Sequence, residues 1–236
     1  MVTNSFKKYF LYAIGEVILV MVGILLALQV NNWNEWRKDR AREKEILEEL
    51  SISLQQNILE MEKDVQRRLR WNQSSNIIIS VIEHDKPYSD SLNLHFQNAR
   101  IPGTNLSLSM AGYEGLKNAG FEILQNETLR NKIVQLFEVT HHNLLEEMEY
   151  FESFQPDRQA LTDKLFSYED EKFDPNSPFT VPIRPHDFEA LIGNREYLAM
   201  VKSVKVQRNI IGFHLNRLLE ESKGIQGILS EELGER

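Results

Sequence analysis

The stretch Tyr9 to Val30, YFLYAIGEVILVMVGILLALQV, decides the architecture of this chain. Glu16 is its only charged residue, and nearly all the others are apolar. At about 1.5 Å per residue a helix of this length reaches about 33 Å, enough to cross a hydrocarbon core about 30 Å thick. A helix satisfies its own backbone hydrogen bonds and is therefore stable in lipid. We predict a single transmembrane helix, with residues 1–32 as N-terminal tail and anchor and the lipid bilayer as a partner.

Two other interpretations of this stretch are weaker. A cleaved signal peptide needs a small-x-small site after its apolar core, and neither Ala27-Leu28-Gln29 nor Val30-Asn31-Asn32 supplies one. The core helix of a soluble protein normally has a polar stripe, whereas residues 17–28 are apolar without interruption. The sequence therefore favours an uncleaved anchor.

Aromatic and basic residues flank the apolar run. Tyr9 and Tyr12 at one end, and Trp33 and Trp36 at the other, are predicted to anchor the helix at the two membrane interfaces. Basic residues are more numerous after the run than before it, which by the positive-inside rule favours a cytoplasmic C-terminal domain. Lys7 and Lys8 precede the run, and the basic residues that follow it are Arg37, Lys38, Arg40, Arg42 and Lys44.

One face of the predicted membrane helix carries small or polar residues at helical spacing. Gly23 and Ala27 form a small-xxx-small pair that lets a second helix approach closely. A carboxyl group facing lipid is costly, so Glu16 is expected in a contact between helices, which makes a homo-oligomer the leading prediction. Glu16 reaching back to the near interface is one alternative, and Glu16 lining a polar path in a transport or channel assembly is another. The predicted contact comprises Ala13, Glu16, Val20, Gly23 and Ala27.

Composition narrows the function of the remaining 200 or so residues. The formal net charge is -8 and the chain has no basic stripe, so we expect no nucleic-acid partner. The chain also has no cysteine, which excludes disulfides, thiolate metal sites and a cysteine nucleophile. At 42% hydrophobic and 26% charged residues, the domain can bury a core and is not disordered.

Apolar residues recur at steps of three and four, so we predict an all-α fold in which the membrane helix continues into a stalk helix and an antiparallel helical bundle. The soluble bundle domain covers residues 33–236, with the stalk at about 34–83 and the bundle at 89–236. Asn126 and Asn194 are predicted N-caps of two long helices, 127–154 and one ending near residue 233. No strand pattern is evident. The stalk stripe is Leu47, Leu50, Leu54, Ile58, Met61, Val65 and Leu69, and the last helix carries a heptad stripe interrupted by Arg208 and Ser222.

Signals for chemistry are sparse. Glu138-x-x-His141 has the ligand spacing of metal sites in helical bundles, but no second Glu-x-x-His occurs. A structural role for both residues is therefore favoured over a metal-binding one. The chain has no nucleophile elbow, glycine-rich phosphate loop or His-Glu-x-x-His motif. We predict no enzymatic activity, no catalytic residue, no metal and no cofactor.

Two stretches of the chain form recognisable motifs. The first lies within residues 8–37 and includes Tyr12-Ala13-Ile14-Gly15-Glu16 and Asn31-Asn32-Trp33-Asn34-Glu35. The second is Tyr113 to Gly120, followed by Asn126 to Arg130. Both motifs resemble a family of single-pass membrane proteins of unknown function from Bacteroidota. The resemblance implies a cytoplasmic-membrane protein whose helical domain lies in the periplasm, contrary to the basic-residue count. It brings no known activity, substrate or catalytic residue.

Together these patterns predict a membrane-anchored helical interaction module, such as a scaffold or sensor-like subunit. A subunit of a transport or channel assembly is the alternative of a different class.

Overall fold

The computed structural model describes residues 3–103, 106–175 and 181–234, and within the first helix it leaves the side chains of residues 3–9 and 11–13 undescribed. The described part is all-α except for one small sheet, as the sequence predicts. Its helices are α1 Thr3–Glu83, α2 Leu92–Ala99, α3 Ala111–Ala119, α4 Glu127–Gln135, α5 His142–Glu152, α6 Gln155–Leu165, α7 Phe188–Ile192 and α8 Arg195–Gly234. A π-helical turn, Leu136–His141, joins α4 to α5, and 3₁₀ turns cover Phe121–Ile123 and Asp170–Lys172.

Helix α1 runs unbroken for 81 residues from the predicted anchor into the bundle. At 1.5 Å per residue it is about 120 Å long. It ends at Glu83, where Asp85 adopts a left-handed conformation (φ 48°) two residues before Pro87. Within residues 46–82, α1 contributes to both apolar clusters and carries buried polar residues between them. Glu43 is already buried and accepts from the backbone N–H of Gln125 at 3.0 Å, so the exposed part of α1 ahead of the bundle ends near residue 39.

Two apolar clusters form the core, one at each end of the bundle. The cluster nearer the predicted membrane packs the 46–61 segment of α1 against α3, α4, α5 and the C-terminal half of α8. The far cluster packs Ile78, Val81 and Ile82 of α1 against α2, the sheet, α7 and the start of α8. Because α1 and α8 are antiparallel and contribute to both clusters, they form the spine of the bundle.

The sequence-predicted stalk stripe is wrong at its far end. Leu69 is 52% exposed, whereas Arg68 beside it is only 4% exposed. Beyond Met61 the buried face of α1 continues through Asp64, Arg68 and Trp71 instead. Apolar periodicity could not show this, because two of these inward residues, Asp64 and Arg68, are polar and are hydrogen-bonded to each other.

The predicted long helix 127–154 is interrupted by the π turn. A π turn adds one residue to a helical turn, and here both Leu136 with Phe137 and Thr140 with His141 face inward. Both predicted N-caps are confirmed, since Asn126 Oδ1 accepts from the backbone N–H of Leu129 at 3.0 Å and Asn194 Oδ1 from that of Tyr197 at 2.9 Å.

The small sheet is absent from the sequence prediction. Strands β1 Phe166–Tyr168 and β2 Ile183–Pro185 pair antiparallel, with Phe166 opposite Pro185. Each strand has only three residues, which is too short for an alternating pattern to be recognised. Phe166 and Ile183 face the far apolar cluster, so the sheet closes that end of the bundle.

Candidate functional site

The apolar half of α1 makes no contribution to the bundle core. Every residue from Ile14 to Trp33 is exposed, and this helix is long and apolar enough to cross a membrane. Residues 14–33 therefore form no part of the core of this fold. Trp33 and Trp36, the predicted interface anchors after the run, are 61% and 52% exposed, and Arg37 lies over the Trp33 ring at 5.7 Å.

At its described positions, the predicted membrane contact is not covered by any described part of the chain. Glu16, Val20, Gly23 and Ala27 are all exposed, and a Cβ added at Gly23 would meet no other atom within 4 Å. No contact within the described part of a single chain therefore requires a glycine at position 23. The other predicted positions, Ala13, Tyr9 and Tyr12, have side chains outside the described residues.

The structure turns Glu138 and His141 toward different neighbours. Glu138 accepts a hydrogen bond from the Tyr113 hydroxyl at 2.5 Å and lies 3.6 Å from the Lys117 ammonium. His141 is 9% exposed and packs edge-on against Phe137. Burial lowers the pKa of His141, and nearby His142 lowers it further. No group of three or more potential His, Asp or Glu metal ligands is present among the described residues.

A buried polar layer separates the two apolar clusters. It comprises Asp64, Arg68 and Ser75 of α1, Arg158 of α6, and Gln207 and Arg208 of α8. Arg68 donates to Asp64 Oδ2 at 2.6 Å and to the Pro102 carbonyl at 3.1 Å. These contacts attach α1 to residues 97–103, which are the end of α2 and the segment that follows it and are called the α2 loop below.

Arg208 is the centre of this layer and is 1% exposed. Its Nη2 donates to the Ile101 carbonyl at 2.6 Å and to the Asn98 carbonyl at 3.1 Å. On the other side Nη1 donates to Asn72 Oδ1 at 2.9 Å and Ser75 Oγ at 3.0 Å. Each of these acceptors is neutral, and burial lowers the pKa of Arg208 to about 9, with a contribution from Arg68. The side chain remains protonated at neutral pH and holds α1, α8 and the α2 loop together.

A cavity of about 310 Å³ opens beside this layer. Its polar walls include Arg100, Arg158, Gln97, Gln159 and Glu152, and its apolar walls include Met148, Phe151 and Ile211. Its size and its mixture of apolar walls with a few polar groups are typical of small-molecule sites.

The two arginines of the cavity are held differently. Arg100 bonds with all three nitrogens, to Gln97, Gln159 and the Tyr168 hydroxyl, at 2.8–3.0 Å. Arg158 uses only Nη1, which donates to the Phe151 carbonyl at 3.0 Å and to Gln207 Oε1 at 3.4 Å. Its Nε and Nη2 form no hydrogen bond within the described residues. Neither nitrogen belongs to the polar atoms that are both fully buried and without a hydrogen-bond partner. Both nitrogens therefore retain access to solvent.

Electrostatics in the cavity favour an anion. Burial lowers the pKa of Arg158, the positive charge of Arg100 lowers it further, and Glu152 opposes the shift. Among the described residues, the ion pairs at the polar layer are those of Asp64 with Arg67 and Arg68, so neither of them involves Arg100 or Arg158. The guanidinium charges of Arg100 and Arg158 thus face one cavity without a bonded carboxylate.

Sequence reasoning treated Arg208 only as an interruption and singled out neither Arg100 nor Arg158. A signal was present for two of the buried arginines. Arg208 occupies an inward position of the α8 stripe, and Arg68 lies seven residues after Met61 on α1. Arg158 lies in α6, whose sequence has no clear apolar stripe, so only the structure reveals it.

The chain matches no protein-family model, no curated protein and no solved structure.

Proposed function

We propose that this chain is a single-pass membrane protein that serves as a membrane-anchored helical interaction module and self-associates through its membrane helix. The observation that carries the proposal is the complete exposure of residues 14–33, an apolar segment that contacts nothing in the bundle. Exposed apolar surface of this extent is not stable in water and is stable in a bilayer.

Self-association follows from the composition of one helix face. Gly23 and Ala27 would let a second copy approach to backbone contact, where dispersion and weak Cα–H···O contacts stabilise the pair. Glu16 lies on the same face, where a second helix would shield its carboxyl from lipid. Residues 31–39 then hold the bundle about 14 Å from the membrane.

The proposal places the anchor in a cytoplasmic membrane of a Bacteroidota-type bacterium and the bundle in the periplasm. Its support is the sequence resemblance of the YAIGE and NNWNE motifs. A compartment-sensitive reporter fused after Arg236 tests the orientation. Periplasmic activity supports the proposal, and cytoplasmic activity contradicts both the orientation and the resemblance.

Gly23→Ile tests the helix contact, and Gly15→Ile is its matched control. Gly15 is also exposed with open space around it. Because each residue is rotated by about 100° around the helix axis, Gly15 lies outside the face that carries Glu16, Gly23 and Ala27. Förster transfer between donor- and acceptor-labelled full-length chains in lipid vesicles reports association as lipid is added. We expect Gly23→Ile to weaken association about tenfold or more, about 1.4 kcal/mol, and Gly15→Ile to leave it unchanged. Equal association of both variants and the parent chain would refute the contact.

A further inference from the structure

The cavity beside the polar layer is lined by an arginine, Arg158, whose hydrogen-bond donors are only partly used within the described residues. Arg158 is 8% exposed and lines the cavity, yet its Nε and Nη2 bond to no described residue. These two nitrogens form one edge of the guanidinium, the edge that pairs with both oxygens of a carboxylate. Because both nitrogens keep access to solvent, an anion can reach this edge, and hydrogen bonds to a charged acceptor are stronger than those to a neutral one.

The second charge of the cavity strengthens this argument. Arg100 is held in place by Gln97, Gln159 and Tyr168, so its guanidinium is oriented before any ligand arrives. Nη1 and Nη2 of Arg100 each carry a further N–H beyond these bonds. Preorganised donors bind more tightly, because no ordering free energy is lost on binding.

The remaining walls restrict the chemical class. Met148, Phe151 and Ile211 offer apolar contact, which suits an organic body rather than a bare inorganic ion. Glu152 also lines the cavity, so the two guanidiniums and one carboxylate leave a net charge of about +1. That balance favours a monoanion over a phosphate dianion.

We propose that this cavity binds a small organic carboxylate, with its carboxylate on the free edge of Arg158 near Arg100 and its apolar body against Met148, Phe151 and Ile211. The site would make the bundle a ligand-binding domain. It stands independently of the membrane proposal, since it rests only on the soluble half of the chain.

The test uses the full-length chain in lipid nanodiscs, with 3-phenylpropionate as the probe and 3-phenylpropionamide as its neutral counterpart. Calorimetric titration measures binding, and empty nanodiscs correct for partition into lipid. We expect the carboxylate to bind and the amide to bind at least about tenfold more weakly, because hydrogen bonds to a charged acceptor are the stronger ones. Inorganic phosphate is expected to bind more weakly than 3-phenylpropionate, since it makes no apolar contact.

Variants locate the site. Arg158→Gln and Arg100→Gln should each weaken binding about tenfold or more, and Glu152→Gln should strengthen it by removing the opposing charge. The matched control is Arg70→Gln, which removes an exposed arginine of α1 and should leave affinity unchanged. Circular dichroism melting of each variant separates loss of the site from loss of the fold. Where Arg158→Gln unfolds, Arg158→Lys keeps the charge without the two-nitrogen edge and should still weaken binding.

Three results would overturn the proposal. One is equal binding of the carboxylate and the amide, another is unchanged binding in folded Arg100→Gln and Arg158→Gln or Arg158→Lys, and the third is no binding of either probe to the folded parent chain.

Discussion

Replacing Arg208 with methionine tests the polar layer most directly. The methionine fills a similar volume of apolar stem but has no donor, so the buried acceptors that Arg208 now serves lose their partner. The most affected are the carbonyls of Ile101 and Asn98 in the α2 loop and the Ser75 hydroxyl of α1.

The magnitude follows from two opposing terms. Each buried acceptor left without a donor costs about 1–3 kcal/mol, and at least two acceptors are in that position. Against this, the variant no longer buries a charge among neutral groups, which returns part of the desolvation cost. We expect a net loss of about 3–5 kcal/mol in the free energy of unfolding, the range that two or three unsatisfied acceptors give once the returned desolvation cost is subtracted.

Thermal and urea unfolding of the bundle, followed by far-UV circular dichroism of the full-length chain in detergent, measures the loss. At about 2–4 °C per kcal/mol for a domain of this size, the melting temperature should fall by about 6–20 °C. Arg70→Met on the exposed face of α1 is the control and should change stability by less than about 0.5 kcal/mol. A loss below about 1 kcal/mol in Arg208→Met would refute the conclusion that Arg208 holds α1, α8 and the α2 loop together.

Three further variants test the packing of the bundle. In Gly112→Ala the new Cβ would lie 2.5 Å from Leu50 Cα and 2.8 Å from its backbone nitrogen; we expect a loss of about 1–3 kcal/mol by urea unfolding, and Gly115→Ala, which meets only the flexible end of Glu49, should be neutral or stabilising. Because burial lowers the pKa of His141 below its ordinary value of 6.5, the unfolded chain binds the proton first as the pH falls. Stability should therefore decrease below about pH 6.5, by up to about 1.4 kcal/mol per pH unit, and His141→Gln should flatten this dependence; an unchanged slope would show that another group causes it. Asn126→Ala removes a confirmed N-cap and should lower stability by about 0.5–2 kcal/mol in the same assay, whereas no loss would mean that the π-containing helix begins independently of its cap.

The apolar run and the helical periodicity are properties of residues that are close together in the sequence. The sequence alone therefore determined the features of the fold that depend on them. The exposed N-terminal helix, the all-α class, the end of α1 near Pro87 and the two asparagine caps are of this kind. Each depends on backbone geometry or on hydrogen bonds within a few residues, so no distant partner is needed to predict it.

The tertiary structure alone decided which polar residues are buried. Leu69 is exposed and Arg68 buried because Asp64 and the Pro102 carbonyl accept from the Arg68 guanidinium, and Pro102 lies 34 residues away. The acceptors of Arg208 in the α2 loop are more than 100 residues distant along the chain. Likewise, α2, α5, α6 and α8 meet to form the arginine-lined cavity only after folding. An arginine in a helical sequence is ordinarily solvated, and only partners supplied by distant segments make its burial favourable.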